Sequence, residues 1–120
     1  MIEAEVQAAF VEYLNERGWK VTTNNADYTD VIARRGDELL LAEVKGTTTA
    51  AGLDVDTAYG QLLRRMRERP ETVRYALVVP ESARTAALRV SDEVRRLLGI
   101  DVWVVDEGGN VELIGMTRLN

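Results

Sequence analysis

The stretch Glu38-Leu39-Leu40-Leu41-Ala42-Glu43-Val44-Lys45 constrains this chain more than any other. Its apolar middle is almost unbroken, which suits a central strand covered on both faces rather than a half-wet one. A strand of that kind belongs to a sheet with helices packed on its sides. At 120 residues the chain fits a single domain, read as residues 1–120. A domain of that size buries roughly two-thirds of the surface its unfolded chain exposes, so its core needs no staples.

The segments around this strand complete the pattern. Residues 2–17 carry Ile2, Val6, Ala9, Phe10, Tyr13 and Leu14 at helical spacing, and Gly18 is placed to end the helix. Residues 19–23 read as a short strand and Asn24-Asn25 as a turn. Residues 30–34 form a second strand, joined to the 38–45 strand by the turn Arg35-Gly36-Asp37. Residues 46–54 are small and polar and read as a loop. The helix after it carries Val55, Tyr59, Leu62, Leu63 and Met66 on one side and stops at Pro70. A fourth strand covers residues 73–79 and ends at Pro80. Residues 81–98 read as helical with a break near Ser91, and Gly99 is a C-terminal cap. Strands over residues 100–105 and 111–114 follow, turned by Gly108-Gly109. Trp19 and Trp103 fall in strand patterns and are expected in the core.

Composition limits the chemistry. The chain has no cysteine and no histidine. That excludes a thiol nucleophile, the Ser-His-Asp arrangement and the usual zinc ligands, leaving carboxylates, lysine, hydroxyls or a hard metal held by oxygen. No apolar run is long enough to span a bilayer, and the start of the chain lacks the pattern of a signal peptide. The expectation is a cytoplasmic protein without membrane partners. The net charge of −5 argues against a chain that coats nucleic acid nonspecifically, although Arg64, Arg65, Arg67 and Arg69 form a local basic run.

The chemistry concentrates in residues 30–45. Glu43 and Lys45 are two apart on one strand and so project to the same face. The hairpin returns Asp30 to their end of the sheet. Two carboxylates brought together repel and raise each other's pKa, and a divalent cation relieves that repulsion. Magnesium takes one or two carboxylates and completes its shell with waters and phosphate. Lys45 beside Glu43 would orient or deprotonate a water, or stabilise an anionic transition state.

Asp30 followed by Glu43-Val44-Lys45 resembles the signature of the PD-(D/E)xK nuclease superfamily, which includes restriction endonucleases and Holliday-junction resolvases. The resemblance covers residues 3–79. It implies a restriction-endonuclease-like αβββαβ core, a mixed central sheet flanked by helices, here with a C-terminal α-β-β extension. It implies metal-dependent hydrolysis of DNA phosphodiesters with Mg2+ or Mn2+ held by Asp30, Glu43 and the Val44 carbonyl, and with Lys45 catalytic. The residue before Asp30 is Thr29 where the motif has proline. Many members place an acid on the first helix, a position that either Glu3 or Gln7 would fill. Gln61 resembles a glutamine that recurs on the second helix, although a wheel centred on Tyr59, Leu62 and Met66 turns it toward solvent. Arg64 and Arg65, with Thr47 and Thr48, are candidates for contact with the nucleic-acid backbone. A homodimer is expected, since two-fold symmetry matches a duplex. The alternative is a non-catalytic domain that keeps the nuclease fold as a binding or regulatory module.

Overall fold

In the computed structural model, which describes residues 1–23, 30–66 and 72–115, the apolar run lies in the middle of a six-stranded sheet. The elements follow the order α1 (Glu3–Glu16), β1 (Lys20–Thr22), β2 (Val31–Arg35), β3 (Glu38–Val44), α2 (Ala51–Arg65), β4 (Val73–Pro80), α3 (Arg84–Ala87), α4 (Asp92–Leu98), β5 (Ile100–Val105) and β6 (Val111–Ile114). Strands lie side by side in sequence order. Pairing is antiparallel from β1 to β3, parallel from β3 to β5, and antiparallel again between β5 and β6. This is the mixed sheet expected from the sequence, with the restriction-endonuclease-like core followed by an extension. Among the described residues no helix is long and apolar enough to cross a membrane.

The continuous hydrophobicity of β3 has a direct cause. Leu40, Ala42 and Val44 pack toward α1 with Val6, Phe10 and Leu14. Leu41 faces the other way, among Val55, Tyr59 and Leu62 of α2. Each face is a separate core, and β3 contributes to both. Fully burying a side chain such as Phe10 or Leu62 stabilises the fold by about 1.5–3 kcal/mol. Trp19 and Trp103 are buried, as expected, and Trp103 stacks edge-on against Phe10 and Tyr13 with centroids 5.4 Å apart in both pairs. The Tyr59 hydroxyl donates to the Ala87 carbonyl at 2.6 Å and ties α2 to α3.

Four boundaries differ from the sequence reading. Ile2 is not part of the first helical stripe; it precedes α1 and is 64% exposed. The loop after β3 is shorter than residues 46–54, because α2 starts at Ala51. Thr48 makes that early start workable: its hydroxyl accepts the Ala50 N–H and donates to Asp54 in the first turns. Leu63 is 42% exposed, so it lies off the packed face. Before the expected break, residues 81–90 are divided further, into a 3-10 turn, Glu81–Ala83, and the short α3. The break falls at Ser91, whose hydroxyl accepts the Val94 N–H and caps α4, and Gly99 closes α4 in the left-handed conformation. The Asn24-Asn25 turn, Thr29, Arg67, Arg69 and Pro70 lie outside the described residues.

Candidate active site

The acidic candidates gather at the carboxyl end of β3, where its ladder with β4 runs out. The Lys45 N–H donates to the Val78 carbonyl at 2.9 Å, and the ladder stops two residues on at Pro80, which has no N–H to give. On the other side of β3, register with β2 runs to Val31 opposite Ala42. One step beyond, the side chain of Asp30 takes over: its Oδ2 accepts the Val44 N–H at 2.8 Å. Strand alternation turns the Val44 carbonyl toward β2 as well.

Alternation also settles the faces. Val31 and Ala33 pack with α1, and Asp30, just before β2, is held by its bond to the Val44 N–H. Val44 packs with α1, so Glu43 and Lys45 share the opposite face, that of α2. The carboxyl of Asp30 stands close enough to Glu43 to act on its ionisation. Glu43 is the more enclosed of the two, at 3% exposed. Burial and the charge of Asp30 push the Glu43 carboxyl up to about 7, against the pull of Arg65 and Lys45.

Two further elements approach these acids. Gly46 lets the start of α1 come against the end of β3, since a Cβ there would sit 2.3 Å from the Glu3 backbone nitrogen. This close approach brings Glu3 to the notch, where partial burial and the charge of Asp30 raise its pKa and Lys45 lowers it. Gln7 is half-buried and lines an open groove along α1 with Glu3, Ala8 and Val11. From the opposite layer, Arg65 Nη1 lies 2.6 Å from Glu43 Oε1 and also donates to the Gln61 carbonyl at 3.2 Å. Gln61 is half-buried rather than solvated, with its Oε1 enclosed and without a hydrogen-bond partner. The packed face of α2 is centred on Val55, Ala58 and Leu62, and including Ala58 swings Gln61 and Arg65 toward the sheet.

The basic and hydroxyl candidates divide. Arg64 is exposed, whereas Arg65 is committed to Glu43. The Thr47 hydroxyl pairs with Ser82 at 3.0 Å, and that of Thr48 is engaged with Asp54. Sequence reasoning offers Arg65 for the nucleic-acid backbone and says nothing of its contact with Glu43. The available signal was its position three residues after Leu62, a charge placed on an apolar helical stripe.

The donor set suits a hard cation. Asp30, Glu43 and the Val44 carbonyl are oxygen donors of the kind magnesium or manganese takes, and here Glu43 is paired with Arg65. Among the described residues no group of three or more acidic side chains forms a metal cluster.

No family model matches the chain, and no curated protein matches it. Solved structures do share its architecture. An XisH family protein from Nostoc punctiforme superposes with a TM-score of 0.64 at 19% identity, over 92% of this chain and 99% of that one. An fdxN element excision controlling factor protein from Anabaena variabilis does so with a TM-score of 0.65 at 18% identity, over 93% of this chain and 99% of its own. At such identities the likeness is one of fold.

Proposed function

We propose that this chain is a metal-dependent endonuclease that hydrolyses DNA phosphodiester bonds at the carboxyl end of β3. The observation that supports this reading is that Asp30, held on the Val44 N–H, and Lys45 both act on the enclosed Glu43 carboxyl. A strand places three charges there only at an energetic cost, since one of the acids is buried and repelled by the other. Asp30, Glu43 and the Val44 carbonyl would hold Mg2+ or Mn2+. Such an ion, once bound, lowers the pKa of a coordinated water and neutralises charge on the phosphate. Lys45 directs its ammonium into the same space, orienting the attacking water or the phosphate oxygens. Glu3 adds negative charge at the rim, and Gln61 offers an amide from α2. Arg64 supplies a cation for the DNA backbone. A homodimer acting on cytoplasmic DNA would match the two-fold symmetry of a duplex.

One observation favours a second reading. Arg65 lies against Glu43, as a residue retained in a silent site would, and one structural neighbour is named an excision controlling factor. On that reading the chain is a non-catalytic, DNA-associated or regulatory module. Incubation with supercoiled plasmid and with branched DNA separates the two. Wild-type protein is expected to cleave with Mg2+ and to stop with EDTA. E43Q and K45A are expected to lose cleavage by about a hundredfold or more while unfolding as cooperatively as wild type. No cleavage by pure wild-type protein, or full cleavage by E43Q, overturns the nuclease reading.

A further inference from the structure

Glu43 is fixed and enclosed, whereas its partner is long and reaches solvent. The side chain of Glu43 is 4% exposed and that of Arg65 is 24% exposed. The acid sits on a central strand, and the arginine is the last residue of α2, a helix end that favours cations. Arg65 Nη1 lies 2.6 Å from Glu43 Oε1, and the same Nη1 donates to the Gln61 carbonyl at 3.2 Å. A buried carboxylate must be neutralised, and at this position an arginine and a divalent ion are alternative ways to do so. The two cations repel when placed on one carboxylate, and a guanidinium forms its better geometry on phosphate.

We propose that Arg65 is a displaceable counter-ion, holding Glu43 until a divalent ion takes that carboxylate and a nucleic-acid phosphate takes the guanidinium. The proposal rests on the metal-dependent reading above and adds to it a coupling: the ion releases the arginine, so metal and DNA strengthen each other's binding. Arg64, exposed one residue earlier, marks the surface where the released guanidinium would meet the phosphate.

Calorimetric titration of metal-free protein with Mn2+, in the absence of DNA, tests the exchange. R65Q is expected to bind Mn2+ about tenfold more tightly than wild type, the effect of removing one adjacent positive charge, and R65K is expected to fall between them. In a parallel titration of labelled duplex, Ca2+ is expected to raise the affinity of wild type more than that of R65Q. Should R65Q fail to fold, R65K alone decides, by binding Mn2+ more tightly than wild type or not. Binding of Mn2+ by wild type with no gain in either variant overturns the exchange and leaves the nuclease reading standing. Absence of Mn2+ binding in wild type and in both variants overturns both.

Discussion

Asp30 Oδ2 accepts the backbone N–H of Val44 at 2.8 Å, a bond between residues fourteen apart in the chain. It fastens one acid of the notch to the peptide that follows the other. The carboxyl of Asp30 thereby stands where the next rung of the β2–β3 ladder would form, and both acids hold their positions through the sheet rather than through a loop. A site held by strands keeps its geometry better than one carried on mobile connections.

Replacing Asp30 separates its two roles. In D30N the amide oxygen still accepts the Val44 N–H while the charge beside Glu43 is gone. In D30A that half-buried N–H loses its acceptor. Urea denaturation at pH 8 should therefore find D30A less stable than D30N by about 1–2 kcal/mol, the range for a donor left unpaired. Equal stability of the two variants would mean that the bond carries no weight.

The raised pKa of Glu43 makes a pH prediction with a definite sign. The ordinary value is 4.5 and the folded value about 7, so between these the folded chain holds a proton that the unfolded chain has released. Stability of the metal-free protein should fall as pH rises through this window and level off above it. E43Q removes the group, so its stability relative to wild type should be greater at pH 8 than at pH 5, by about 1–3 kcal/mol. Thermal melts at both pH values measure the difference. Millimolar Mg2+ should reverse the trend for wild type, because binding favours the deprotonated acids.

Much of this architecture was legible because local patterns and tertiary packing agreed. The unbroken apolar run of β3 announces a strand buried on both faces, and the i, i+2 rule puts Glu43 and Lys45 on one side of it. Ser91 and Gly99 marked the limits of α4 through their capping chemistry. What escaped depended on contacts distant in sequence. A wheel centred on Tyr59, Leu62 and Met66 turns Gln61 outward because it leaves out Ala58, small and on the buried stripe. Nothing in a linear pattern says that the end of α2 lies over the end of β3, so the contact of Arg65 with Glu43 is not legible there. Nor is the packing of α1 on Gly46, which brings Glu3 near Asp30 and Lys45.

That packing yields the last prediction. A methyl group at residue 46 would meet the Glu3 nitrogen at 2.3 Å, with the Glu3 Cα and the Ile2 carbonyl carbon at 2.8 Å, all of them backbone atoms. No side-chain rotation relieves such a clash, so the start of α1 must move away from β3. G46A should therefore destabilise the chain by about 1–3 kcal/mol, the usual penalty for overpacking. The consequence for the notch is more specific. As Glu3 withdraws from Asp30 and Lys45, its carboxyl pKa should fall back toward the ordinary glutamate value, which carboxyl-carbon NMR titration of wild type and G46A would register. An unchanged Glu3 titration in a folded G46A protein would show that Gly46 does not position the first helix at the site.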